Sequence, residues 1–193
     1  MKKVEVIGKK RLFDEFFKID EATLRFEKFN GELSPIVKRL CFERGDSVAA
    51  IVYNKDSQRV IFVNQFKYPA YVKGQGWLSE TVAGMLEEGE IPDEAIGREM
   101  IEEIGYAPSY LEHISTFFVS PGGTSERIIL YYAETDESNK QNEGGGVATE
   151  HEDIQLVSYS LPELWATLDS GELADAKTII GAMWLRRRLE VAR

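Results

Sequence analysis

Residues 84–106 read GMLEEGEIPDEAIGREMIEEIGY, and they leave little freedom in their own local structure. Pro92 suits the first position of a helix, where its missing N–H costs nothing. Asp93 and Glu94 favour the positive end of the helix dipole, and Gly105 can close the helix in a left-handed conformation. The expected helix spans 92–104. At about 100° per residue, Ile96, Met100, Ile101 and Ile104 share one arc, while Glu99, Glu102 and Glu103 fall on the opposite one. Glu99 and Glu103 are i,i+4 neighbours, and like charges so placed cost roughly a few tenths of a kcal/mol in an isolated helix. Something positive has to offset them. Arg98 can pair with Glu102 on a solvated face. Alternatively, a hard divalent cation, Mg²⁺ or Mn²⁺, takes oxygen ligands from a rigid helix and keeps positions free for a phosphate.

The flanking sequence predicts mixed α and β structure, with strands early and few helices. Residues 22–28 and 36–42 mix β-formers with charges around Asn30-Gly31, a hairpin turn signal. Residues 47–53 and 60–65 read as a second hairpin, of buried strands, and mark a second core beginning near Ser47. Residues 77–83 read as extended, and strands are expected at 113–120, 127–133 and 153–158. Residues 137–152 form a polar, Gly-rich stretch, expected to be a long mobile loop of the functional kind. Ser160 followed three residues later by Glu163 resembles a capping box, opening a helix that stops at Gly171. A last helix from 176 is expected to bury Ile179, Ile180, Met183, Trp184 and Leu185. His113, inside an apolar strand, reads as structural.

Composition excludes several classes. The chain has 193 residues, with 23 Lys plus Arg against 33 Asp plus Glu and a net charge of -10. Non-specific nucleic-acid affinity comes from cations that neutralise phosphates, so no nucleic-acid partner is expected. The lone Cys41 leaves no intrachain disulfide and no thiolate zinc site, which fits a reducing cytoplasm. The longest apolar run, 48–53, is far below the ~20 residues that cross a bilayer, so a soluble protein with no membrane partner is expected.

Spacing carries the chemistry further. Gly84, five residues, Glu90, seven residues, then Arg98, Glu99, Met100, Glu102, Glu103, Gly105 and Tyr106 resemble the signature box of the Nudix hydrolases. The one mild departure is Tyr106, where the family usually has an aliphatic residue. The resemblance implies an α/β/α sandwich with a mixed sheet, a metal-dependent hydrolysis of nucleoside diphosphates linked to a second moiety, and Mg²⁺ or Mn²⁺ as cofactor. Carried over by position, Glu99 and Glu103 are the principal metal ligands and Glu102 an additional ligand or holder of a metal water. Arg98 orients the glutamates, Glu90 braces the loop, and Gly84 and Gly105 are structural.

The resemblance continues outside the box, toward ADP-ribose and GDP-mannose pyrophosphatases. Residues 80–84, ETVAG, resemble the stretch in which the Ala83 carbonyl is also a ligand, with Glu80 and Gly84 near substrate. Pro121 and Gly123, in SPGGTS at 120–125, occupy a position associated with that branch. The match resumes at GGGV (144–147), EHEDI (150–154) and GELADAKT (171–178). Glu150 is implied as general base and Glu152 as a further metal-site carboxylate; His151 is the less favoured base. Lys67 stands where relatives place a phosphate-contacting Arg, and Arg39 where relatives reach the nucleotide of the neighbouring subunit. The implied organisation is an N-terminal β subdomain, 1–45, for dimerisation and substrate contacts, and a hydrolase domain, 46–193. A sugar nucleotide as substrate and a homodimer follow. The alternatives are a non-catalytic nucleotide or sugar-nucleotide sensor of the same fold and a pyrophosphatase acting on nucleoside triphosphates.

Overall fold

The computed structural model describes residues 2–191, apart from the side chain of Glu150. The chain divides into two compact units, Met1–Asp46 with Phe118–Arg127, and Ser47–Phe117 with Ile128–Arg193.

In the first unit, β1 (Val4–Asp14), β2 (Lys18–Phe26) and β3 (Val37–Glu43) form an antiparallel sheet in that order. The Asn30-Gly31 turn forms as expected. Gly31 takes a φ of 85°, Lys28 N–H donates to Glu32 C=O, and the Asn30 side chain accepts from Glu32 N–H. β1 falls within the early residues that read as strands, where the sequence left its bounds open. The segment Phe118–Arg127 joins this unit through backbone bonds from Phe42 N–H to Gly123 C=O and from Ser125 N–H to Phe42 C=O. Ion pairs Arg127–Asp46 and Arg44–Glu126 lie in the same unit.

The second unit is a three-layer α/β/α sandwich with a mixed sheet. In chain order it contains β4 (Ser47–Asn54), β5 (Arg59–Phe66), α1 (Tyr68–Tyr71), β6 (Trp77–Glu80), β7 (Val82–Met85) and α2 (Pro92–Ile104). Then come β8 (Tyr110–Phe118), β9 (Arg127–Thr135), β10 (Gln155–Ser160), α3 (Leu161–Ser170) and α4 (Ala176–Val191). The sheet order is β10-β5-β4-β9-β8, with β6 paired to β5 and β7 to β4; β4 and β9 are parallel. Residues alternating along β4 serve opposite layers. Val48, Ala50 and Val52 pack with Ile96, Met100 and Ile104 of α2, while Ile51 packs with Leu164, Ala182 and Leu185 of α3 and α4. Each such aliphatic side chain contributes about 1.5–3 kcal/mol on leaving water.

Local signals set the helix ends. Gly105 closes α2 with a φ of 81°, and Ser160 and Glu163 form the reciprocal capping box of α3, which Gly171 ends. α1, with Pro69 in its first turn, went unanticipated because a four-residue helix has no periodicity to read. α4 corrects the expected stripe. Its buried residues are Thr178, Gly181, Ala182 and Leu185; Ile179 and Trp184 are half-buried, and Ile180 and Met183 face solvent. The reason is close approach, since a Cβ at Gly181 would lie 3.2 Å from Ile51 Cβ. His113 is exposed and bonds to Thr116 Oγ1 at 3.0 Å. Among the described residues no helix is long and apolar enough to cross a membrane.

Overpacking costs typically about 1–3 kcal/mol, so Gly181→Val should lower stability by that amount in urea denaturation. Met183→Gln, on the exposed side of α4, should stay within about 0.5 kcal/mol of the parent; equal losses in both variants would restore the apolar stripe expected from sequence.

Candidate active site

β7 lies against the middle of α2, and the Glu99 carboxylate fills the space that a side chain at residue 84 would take. A Cβ on Gly84 would fall on the Glu99 carboxylate. One residue earlier, Ala83 N–H donates to Glu103 Oε2 at 3.1 Å. β7 is fixed in turn by pairing with β4, where Ala83 stands opposite Ala49 and Gly84 opposite Val48. Two carboxylates of one helix are thus held against the backbone of one strand.

Glu103 is only 4% exposed, although the helical arc put it among the charged residues. Burial pushes its carboxyl up to about 8, opposed by the Ala83 N–H and reinforced by Glu99 and Glu152; Lys67 pulls weakly the other way. Glu99 is shifted upward too, chiefly by burial, against the pull of Arg98. Glu152 enters from the loop before β10, its carboxylate held by Val147 N–H at 2.9 Å. Gly146 makes room for it, since a Cβ there would stand 2.7 Å from the Glu152 Cβ.

Arg98 organises the outer side of the helix. Its guanidinium donates to both oxygens of Glu90 at 3.0 and 3.2 Å and, through one nitrogen, to Glu99 and Glu102 at 2.9 Å each. Glu90 also accepts from Glu87 N–H at 3.1 Å, closing the loop ahead of α2.

The Gly-rich stretch is fastened to the last turn of α2 at Gly145 and Gly146. Gly145 N–H donates to Glu103 C=O and Gly146 N–H to Glu102 C=O, at 2.9 and 3.0 Å, satisfying carbonyls that a helix end leaves unpaired. Gly144, with a φ of 67°, could not carry a Cβ, which would lie 2.6 Å from Glu103 C=O. Tyr106, the departure from the box, is buried and donates to Glu137 at 3.1 Å. Glu150 closes a short 3₁₀ turn, Ala148–Glu150, and its side chain lies outside the described residues. His151 follows in a left-handed conformation, exposed.

Lys67 Nζ lies 3.7 Å from Glu80, which is also paired with Lys177. Sequence reasoning missed Lys177 although it matched the stretch 171–178. The available signal was a lysine in the first turn of a helix, unfavourable against the dipole unless a carboxylate holds it. Arg39, Pro121 and Gly123 belong to the first unit, where all are exposed; Arg39 donates to Lys38 C=O and Gly123 N–H to Ser120 C=O.

Among the described residues no three of His, Cys, Asp or Glu stand in ligating geometry around one point. The donor chemistry nevertheless suits a hard divalent cation, because the neighbouring carboxylates of Glu99 and Glu152 add to the cost of ionising Glu103, those of Glu102 and Glu152 to that of ionising Glu99, and every candidate ligand is oxygen.

The sequence pattern of the NUDIX domain matches residues 43–179. The chain belongs to the NUDIX family. It is 36% identical over 179 residues to the GDP-mannose pyrophosphatase of Pectobacterium atrosepticum, covering 92% of this chain and 91% of that one. It is 34% identical over 184 residues to the ADP-ribose pyrophosphatase of Escherichia coli, covering 95% and 88%. A crystal structure described as an ADP compounds hydrolase superposes with a TM-score of 0.74 over 98% of this chain and 96% of its own, at 18% identity, a likeness of fold.

The Glu103 shift has a measurable sign. Its folded value, about 8, lies above the ordinary 4.5, so the folded chain holds more protons than the unfolded one between those pH values. Stability therefore falls as pH rises through that window. With divalent metal chelated, thermal denaturation should show wild type losing stability from pH 5 to pH 8 and Glu103→Gln losing clearly less; parallel curves would remove Glu103 as the responsible group.

Proposed function

We propose that the chain hydrolyses the diphosphate bridge of a sugar nucleotide of the ADP-ribose or GDP-mannose kind, giving a nucleoside monophosphate and a sugar phosphate. The observation that carries this reading is the crowding of Glu99, Glu103 and Glu152 beside the backbone of Ala83 and Gly84. Glu99, Glu102, Glu103, Glu152 and the Ala83 carbonyl would hold Mg²⁺ or Mn²⁺. When bound, the cation offsets charge on the diphosphate and makes the attacking water more acidic.

The chain's own groups divide the remaining work. Arg98 keeps Glu99 and Glu102 in place, and Glu90 keeps Arg98 in place. Lys67 offers its ammonium to the substrate phosphates. Glu150 takes the proton of the attacking water as its oxygen bonds to phosphorus; the bridging P–O bond breaks, and the leaving phosphate keeps the electron pair. A carboxylate, a weak base, would suffice for a water so acidified. Glu80 and Gly84 would line the substrate; Arg39, Pro121 and Gly123 are further proposed substrate contacts, Arg39 serving the site of a second subunit.

A homodimer through residues 1–45 is part of this proposal. Val4, Val6, Leu12 and Phe13 of β1 and Leu40 of β3 are all exposed, apolar side chains that a partner subunit would cover. The single Cys41 and the nucleotide substrate support a cytoplasmic site of action.

With Mg²⁺ or Mn²⁺ and a panel of ADP-ribose, GDP-mannose and nucleoside triphosphates, the sugar nucleotides should be preferred and should yield a monophosphate. Glu99→Gln and Glu103→Gln should each lower kcat at least about a hundredfold, the loss of several kcal/mol of charge stabilisation. Tight binding without turnover would favour the sensor, and preference for a triphosphate the other pyrophosphatase class. In sedimentation equilibrium the expected mass is twice 21.9 kDa; a fully active monomer would remove the dimer and the role of Arg39 together.

A further inference from the structure

Two buried polar side chains of the second unit send their donors to one exposed carboxylate. Tyr106 is 9% exposed and belongs to the same core cluster as Val52, Ile61, Ile104 and Ile154; its hydroxyl is shared between the two oxygens of Glu137, at 3.1 and 3.2 Å. Asn54 is 2% exposed and donates from Nδ2 to Glu137 Oε1 at 3.0 Å, while its own oxygen accepts from Asp56 and Ser57 N–H. Glu137 N–H donates to the Asp56 carboxylate at 3.0 Å. A buried donor left unpaired is costly, so Glu137 answers a need of the core although its own side chain is exposed.

Glu137 also begins the segment that leads to Glu152. From Glu137 to Val147 this strap follows the end of α2. Ala107 N–H donates to Asn139 C=O at 3.0 Å, Gln141 N–H to Gly105 C=O at 2.8 Å, and the Gly145 and Gly146 amides to the Glu103 and Glu102 carbonyls. Residues 137–147 are all described, and none of them is buried. The strap is thus held by hydrogen bonds without an apolar anchor of its own, and such a segment opens at low cost. Its far end sets Glu152, whose carboxylate accepts from Val147 N–H, while Ile154 N–H returns to Gly145 C=O at 3.2 Å.

We infer that Glu137 is a positioning residue for Glu152: clasped by Tyr106 and Asn54, it gives the strap the buried anchor it lacks and so holds the Glu152 carboxylate near Glu99 and Glu103. Glu137 stands at the opposite end of the strap from Glu152, so its effect on a cation passes through the backbone between them. The inference rests on Glu152 serving the divalent cation in the hydrolase reading above.

The test reads Mn²⁺ binding to the substrate-free protein by electron paramagnetic resonance, together with amide hydrogen exchange at Gly145 and Gly146. Tyr106→Phe keeps the buried ring and removes only the hydroxyl. It should weaken Mn²⁺ binding about three- to tenfold, the range one net hydrogen bond spans, and speed exchange at the two glycines by a similar factor while β4 and β5 amides stay unchanged. Glu137→Ala should match it, whereas Glu137→Gln, which keeps an acceptor oxygen, should recover most of the loss. In a Glu152→Gln background, Tyr106→Phe should change Mn²⁺ affinity no more than about twofold, because the group through which it acts is gone. In turnover of a sugar nucleotide the same variants should raise the Mn²⁺ concentration for half-maximal rate, with KM at saturating metal changed less than about twofold. Full additivity with Glu152→Gln, or faster exchange without weaker Mn²⁺ binding, would reduce the clasp to a structural contact and overturn the inference. If Tyr106→Phe does not fold, Glu137→Ala, at an exposed position, carries the same cycle. A wild type that binds Mn²⁺ but hydrolyses no sugar nucleotide would defeat the hydrolase reading; equal Mn²⁺ binding by wild type and every variant would overturn this inference alone.

Discussion

The contact on which the rest depends is that between the Ala83-Gly84 backbone and the glutamates of α2. The Glu99 carboxylate occupies the space beside Gly84, and Ala83 N–H, on the strand that pairs with β4, reaches the Glu103 carboxylate. An amide hydrogen bond to a charged acceptor is worth about 1.5–3 kcal/mol, less than the cost of burying an isolated carboxylate. The balance is a carboxylate held at an energetic cost, keeping its proton to a higher pH than an exposed one would. Ala95, Ile96, Met100 and Ile104 hold the opposite side of the same helix in the core, so α2 cannot retreat from the strand without exposing them.

The Gly144–146 stretch solves a second problem with the same economy of atoms. The last carbonyls of a helix need donors, and here the donors come from the loop that also delivers Glu152. Satisfying the helix end and placing the carboxylate are one event. Glycine is required at 144 because backbone meets backbone there, with a positive φ besides. A loop that reads from composition as slack is, over those residues, an extension of the helix cap.

What was legible in the sequence was local or spaced at fixed intervals. The limits of α2, the capping box at Ser160 and the turn at Asn30-Gly31 depend on neighbours in sequence, and they formed as expected. The family was legible too, since its box is defined by intervals along one segment. The failures have a common cause in contacts between distant segments. Helical periodicity places Glu103 with the charged residues, but only β7 shows that it is buried; α4 turns its Gly181 rather than its Ile180 and Met183 to the sheet because Ile51 comes so near. Lys177 escaped notice for the same reason, its partner Glu80 lying 97 residues away.

The excursion of Phe118–Arg127 into the first unit has a consequence for how the chain is made. β3 meets its neighbours Gly123 and Ser125 only after the intervening strands and α2 have been synthesised. At about 5–20 residues per second, residue 127 follows residue 46 off the ribosome by roughly 4 to 16 seconds. During that interval the β1–β3 sheet lacks the backbone partners of Phe42 and the ion partners of Arg44 and Asp46. The nascent chain thus carries an incomplete sheet edge, able to pair with a neighbouring copy on the same message, throughout the time that β4 to β8 and α2 are being built.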